Sequence, residues 1–239
     1  MAHLDYSSAT HCAWFFHVNS YQALQSPMTH LLHIYVFGSL CRGEISPGSD
    51  VDLLAITTGG TNELSRSMFS IYSHSKVKRI WNEGNPFAWH LHLEAKMVYS
   101  RDGSDFVQAL GTPASYTKAI DDCERFLAIF RQSRSSVASD RSSIVFDLSA
   151  AFLGLRNFCS CYMLGLGVPD FSRGVALRLM GDMPPVDLAH YRILERARLL
   201  STRGHGAPLA ATEEDRALEA LPLLENWMAE LLQRKKDGR

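Results

Sequence analysis

Residues 38 to 52 read GSLCRGEISPGSDVD. A Gly-Ser pair stands upstream of two acids, Asp50 and Asp52, that are separated by one valine. On a strand, residues two apart share a face, with Cα atoms about 6.5–7 Å from each other. Such a strand would point both carboxylates the same way and Val51 into the core. Two carboxylates so placed can converge on a hard cation such as Mg²⁺, which favours carboxylate and phosphate oxygens. Metal ions held in that way can clamp the attacking and leaving oxygens of a phosphoryl displacement. Gly38 lets backbone come close to a phosphate. Amides at a helix N-terminus favour negative charge, and the Ser39 hydroxyl adds a donor. The chemistry implied is the handling of a metal-bound nucleoside triphosphate.

Elements must carry these residues. The apolar run HLLHIYVF, 30–37, ends at Gly38 and reads as a buried strand. Ser39 is placed to cap a short helix from about Leu40, which Pro47 and Gly48 end. A second strand is expected over 50–57, closed by Gly59 and Gly60. Residues 62–81 predict a helix capped by Asn62, with Leu64, Met68, Ile71, Tyr72 and Ile80 on its apolar positions. Gly84, Asn85 and Pro86 break it. FAWHLHLEAKMVY, 87–99, then alternates as a third long strand, with His90, His92, Glu94 and Lys96 on one face. Beyond Pro113 the strand signals stop. Helices are expected over 114–132, 142–166, 171–180, 186–200 and 213–235. The organisation is therefore α+β, with an α/β domain over 1–113 and an all-helical domain over 114–239.

In these residues the chain resembles the nucleotidyltransferase superfamily that includes DNA polymerase β, the aminoglycoside nucleotidyltransferases and the minimal MNT-type enzymes. Their signature is Gly-Ser followed about ten residues later by Asp-x-Asp or Asp-x-Glu. Here Gly38-Ser39 precedes Asp50-Val51-Asp52, and Arg42-Gly43 and Ser49 are also family-like. The resemblance implies a polymerase β-like domain with a mixed sheet and Mg²⁺ at Asp50 and Asp52. It implies transfer of NMP from an NTP to a hydroxyl of a small molecule, protein or RNA, with loss of pyrophosphate. ATP is the expected nucleotide. Gly38 and Ser39 would hold the β- and γ-phosphates. The family usually has a third carboxylate on a later strand, and Glu94 is the only acid on its face, so Glu94 is expected to activate the acceptor. His90 or His92 could fill that role as a neutral base, although histidine is the poorer Mg²⁺ ligand. Arg42 and Lys96 are expected to balance triphosphate charge, and Glu44 reads as surface.

Superfamily members often append a helical domain that completes the cleft and holds the acceptor. The stretch SIVFDLSAAFLGLRNFCSCYMLGLG also resembles HEPN helical domains, but Cys161, Tyr162 and Met163 fill the window where HEPN ribonucleases carry histidine. That argues against ribonuclease chemistry. Phe158 and Tyr162 read as core. Asp147 and Arg156 are charges on an otherwise apolar helix, and Asp147 is the first to test for a cationic acceptor. With a net charge of −1, 46% hydrophobic and 21% charged residues, the chain has no global field to recruit nucleic acid. The basic cluster Lys76-Val77-Lys78-Arg79 reads as solvated surface. The five cysteines lack zinc spacing and suggest a reducing compartment. No secretory signal and no membrane span are expected, so the expected location is cytoplasmic. Two other readings remain open: a degenerate nucleotidyltransferase acting as a nucleotide-binding or regulatory module, and an unrelated α/β protein whose two acids decorate a strand end.

Overall fold

The computed structural model describes residues 30–44, 50–59, 64–179 and 181–238. The expectations that rest on Cys12, Pro47, Gly48, Ser49, Gly60, Asn62 and Met180 lie outside these residues.

A four-stranded mixed sheet organises the first half, in the order β3-β2-β1-β4. β1 (Leu31–Phe37) runs antiparallel to β2 (Asp52–Thr57) and to β4 (Lys96–Ser100), while β3 (Phe69–Ser73) lies parallel to β2. The register pairs Phe37 with Asp52. The turn leaving β1 is thereby set beside the acid that opens β2. The strand starts at Asp52 and not at Asp50, so the expected alternation fails at one position: Val51 is 51% exposed and does not enter the core.

Two elements differ from expectation. The helix expected over 62–81 is a strand followed by a helix, β3 and then α1 (His74–Asn82). Phe69 and Ile71 pack with Leu31, Ile34 and Ala55, whereas Tyr72 packs with the cluster around Tyr35 and Trp81. β3 thus has apolar contacts on both faces, and the resulting apolar run resembles helical spacing. Ser73 is the true cap, its hydroxyl accepting from Lys76 N at 3.1 Å. The third strand expected over 87–99 is also two elements: α2 (Pro86–Glu94) and then β4. Asn85 caps α2 by accepting from Phe87 N at 2.9 Å, and Pro86 occupies the first helical turn, where its missing N–H costs nothing. His90, His92, Glu94 and Lys96 therefore do not share a strand face. His90 and Glu94 are one helical turn apart.

α3 (Phe106–Ala109) closes the first half. The second half is helical: α4 (Ala119–Ser139), α5 (Ile144–Gly165), α6 (Leu188–Arg203) and α7 (Ala211–Lys236). Of the helix expected over 171–180, the described residues form only the short 3₁₀ helix Val175–Arg178. Their joint core includes Phe130, Leu148, Phe152, Leu155, Phe158, Tyr191, Leu194, Leu224 and Met228, each essentially buried. Phe158 and Tyr162 are core, with rings stacked 6.2 Å apart. α5 is long and apolar enough to cross a membrane, contrary to the expectation from composition, but 67% of its most apolar window is buried against the other helices. Gly154 lets α4 approach closely, since a Cβ there would stand 2.9 Å from Phe126 O. The link between the halves is tied to the first: Trp81 Nε1 donates to Gly111 O at 2.9 Å, and Trp89 Nε1 to Ala114 O at 3.2 Å.

Candidate active site

Gly38 takes φ +76°, and a Cβ on it would collide with Asp52 Oδ2. Glycine is needed both for the backbone conformation and for the close approach of the acid. The turn is a single 3₁₀ turn, Gly38–Leu40, closed by Cys41 N donating to Gly38 O at 3.0 Å. Ser39 makes no capping bond, contrary to the expected N-cap. Its Oγ is buried with no partner. A helix this short supplies no useful dipole, so a phosphate arriving here would meet the hydroxyl and the turn's backbone.

Asp50 and Asp52 face a cleft between the sheet and the helical half. One cavity of about 300 Å³ is lined by Gly38, Ser39, Arg42, Asp50, Asp52 and His90 from the first half, and by Phe152, Leu153, Arg156, Arg173, Glu195, Arg198, Leu199, Thr202 and Arg203 from the second. Burial and the neighbouring Asp50 carboxylate push the Asp52 carboxyl above its usual range, while His90, Arg203 and Arg156 pull it back. Arg203 holds Asp50 at 2.5 Å. Five arginines thus gather round three acids, of which Glu195 is held by Arg192 at 2.9 Å. They crowd one another: burial, Arg42 and Arg173 press the Arg156 guanidinium below its ordinary value, and burial and Arg203 do the same to Arg198. Arg156 is anchored by donating to Phe171 O at 2.6 Å and to Ser172 O at 3.3 Å.

A second cavity, about 520 Å³, opens on the other side of the same residues. It shares Asp52, His90 and Arg156 with the first and adds Phe37, Phe87, Tyr116, Asp122, Phe126, Asn157 and Phe171 among others. His90 forms part of the wall between the two. Its ring stacks on Phe171 at 4.7 Å and meets Phe37 edge-on at 5.4 Å. Its Nε2 lies 2.9 Å from Glu94 Oε2, and Arg42 donates to that same oxygen at 2.5 Å. Glu94 lines neither cavity. Arg42 also holds Glu44 at 2.8 Å, and Glu44 faces Arg178 across the cleft at 3.6 Å. Glu44 is therefore part of an ion-pair chain joining the halves and not plain surface.

The remaining expected residues fall elsewhere. Lys96 opens β4, is exposed and lines neither cavity. His92 meets Trp81 and Trp89 edge-on, away from the acids. Asp147 is buried at 5% exposure in the first turn of α5 and does not line the cleft. Arg173, Arg198 and Arg203 had no counterpart in the sequence reading. The available signal was the run of arginines between 192 and 203 on a helix expected only as structure.

The donor set suits Mg²⁺. That ion is usually held by one or two carboxylates together with substrate phosphates. Asp50, Asp52 and the free Ser39 hydroxyl offer oxygens only. Among the described residues no group of three or more His, Cys, Asp or Glu forms a cage, and a site completed by substrate requires none.

Residues 23–104 match the family of nucleotidyltransferase domains. The chain carries a nucleotidyltransferase domain. Such a domain supports a transferase activity, in general terms the transfer of a nucleoside monophosphate. The spectinomycin adenyltransferase AAD(9) from Enterococcus faecialis, solved with ATP and spectinomycin, is 13% identical, with 90% of this chain and 99% of that chain covered and a TM-score of 0.51. At that identity the likeness concerns fold, and it extends over the helical half as well as the nucleotidyltransferase domain. A nucleotidyltransferase-like protein from Exiguobacterium sibiricum is 18% identical over 91% of this chain and 73% of that chain, with a TM-score of 0.35. A search of curated proteins found no match.

Proposed function

We propose that the protein moves AMP from ATP onto a hydroxyl of an acceptor molecule, releasing pyrophosphate, with Mg²⁺ bound by Asp50 and Asp52. One observation carries this reading. A buried serine hydroxyl without a partner, three carboxylates and five arginines all line one cavity, an excess of two positive charges. That many guanidiniums repel one another unless a polyanion sits among them, and a triphosphate is a polyanion of the right size. ATP comes first among nucleotides because the fold neighbour was solved with it.

Mg²⁺, when bound, would neutralise phosphate charge and polarise the phosphoryl group. The chain's residues do the rest. Ser39 donates to a phosphate oxygen, and Arg156, Arg198 and Arg203 surround the β- and γ-phosphates. Asp52 lies where the two cavities meet, so the α-phosphorus has nucleotide on one side and acceptor on the other. The acceptor oxygen bonds to that phosphorus, the bond to the β-phosphate's bridging oxygen breaks, and pyrophosphate leaves with the electron pair. The hydroxyl proton goes to His90, which lines both cavities. Glu94 then works through His90. By accepting from Nε2–H it leaves the Nδ1 lone pair free for the proton, and Arg42 balances its charge.

The test is to incubate the protein with Mg²⁺, α-labelled ATP and soluble cell extract, and to follow the label. Transfer to any acceptor is expected, together with pyrophosphate. Asp52→Asn should abolish it while leaving the melting temperature within a few degrees. Full transfer by that variant would refute the assignment.

A further inference from the structure

The second cavity also says what kind of acceptor it takes, provided the reading above holds. Its charges cancel. Three acids, Asp52, Glu83 and Asp122, line it against three cations, Lys118, Arg125 and Arg156. Two of the acids are committed elsewhere, and the third is solvated. Asp52 is a metal ligand in the proposed mechanism. Asp122 accepts from Tyr116 Oη at 2.8 Å and from Arg125 at 2.9 Å. Glu83 is half-exposed at the rim, 3.9 Å from Arg79. Asp147, the other acid that could have served a cation, stays buried outside the cavity. An ammonium group passing the rim would shed water and find no uncommitted carboxylate deeper in, a costly exchange.

The walls favour something else. Phe87, Phe126 and Phe171 present ring surface, with Tyr116 beside them. Asn157 has no hydrogen-bond partner among the described residues, and with Ser160 it offers neutral donors and acceptors. Rings paired with neutral hydrogen-bonding groups suit a flat or saturated ring that carries hydroxyls. A volume of about 520 Å³ accommodates a molecule of two such rings. The third cavity near the acids, bounded by Arg66–Ser70, has neither His90 nor a comparable aromatic wall.

We propose that the acceptor occupies the second cavity and is an uncharged, hydroxylated ring compound of the glycoside class, and not a polycationic aminocyclitol. This assignment separates the protein from its fold neighbour, whose co-crystallised acceptor was spectinomycin.

Equilibrium binding distinguishes the two classes without turnover. The protein is loaded with Mg²⁺ and a non-hydrolysable ATP analogue, then titrated calorimetrically with neutral aryl glycosides and, separately, with spectinomycin. The expected result is saturable binding of at least one aryl glycoside, ten-fold or more tighter than spectinomycin. Asn157→Asp adds a carboxylate to the wall and should move that ratio ten-fold toward spectinomycin. The preference of the unaltered protein decides the matter if that variant folds poorly. Tighter binding of spectinomycin, or no glycoside binding by protein that holds the ATP analogue, overturns the acceptor class alone. Failure to bind the ATP analogue overturns the nucleotidyl-transfer reading, and this inference with it.

Discussion

Ser39 keeps a buried hydroxyl with nothing to bond. Unsatisfied polar groups of this kind cost about 1–3 kcal/mol, so a fold tolerates them where a ligand will complete them. Ser39→Ala should therefore leave the urea midpoint unchanged or raise it, while increasing KM for ATP about ten-fold, the worth of one hydrogen bond to a charged group. A structural serine would show the opposite pattern. The His90–Glu94 pair makes a separate prediction. His90→Gln should lower kcat by roughly 10²–10⁴ with KM for ATP little changed, as expected for loss of a general base. Glu94→Gln keeps an oxygen for Nε2–H and should cost less. If Glu94→Gln proves the more damaging of the two, Glu94 is itself the base.

Much of the element level could be read from sequence. β1, its glycine turn and β2 were legible because an apolar run, a glycine and a pair of acids each force one local outcome, and the register Phe37–Asp52 then assembles them. α2 was not, although Asn85-Pro86 is a helix-start signal. The residues after it are apolar on several faces, and that pattern imitates strand alternation. β3 failed for the converse reason, being packed on both faces. The arginines of α6 and the stack of His90 on Phe171 depend on how two halves meet, and local sequence does not encode that. A further element-level property follows from packing around α3. Phe106 stacks with His33 of β1 at 5.7 Å and with His74 of α1 at 4.0 Å. Burial lowers the pKa of both imidazoles; Asp102 and Asp105 partly offset this at His33, and Lys78 and His33 add to it at His74. A histidine whose folded-state pKa is depressed contributes full stability above its unfolded value of about 6.5. As pH falls below that value the unfolded chain takes up protons first, and stability declines until the folded-state pKa is passed. Urea midpoints should thus be level from pH 8 to 7 and fall toward pH 5.5. His33→Leu should flatten part of that slope.

At the scale of the whole molecule, contacts that span the cleft include Asp50 with Arg203, Glu44 with Arg178, and His90 with Phe171. The first involves an acid assigned to the metal and an arginine assigned to phosphate. Arg203→Gln should therefore act with opposite signs on two ligands. Affinity for Mg²⁺ alone should rise, because Asp50 loses a competing cation, and affinity for ATP should fall. A calorimetric titration of each ligand separately checks this, and a change of the same sign for both would contradict it. A shift of one half against the other would have its own reporter. The indole N–H groups of Trp81 and Trp89 grip the carbonyls of Gly111 and Ala114, and a Cβ on Gly84 would strike Ala114 O. This strap ties the chain as far as Ala114 to the sheet, and Tyr116 just beyond it already packs on the helical core and donates to Asp122 at 2.8 Å, so the two halves are joined over a very short span. Two native fluorophores sit beside that junction. Closing of the cleft on nucleotide should register as a change in tryptophan emission, with no label attached.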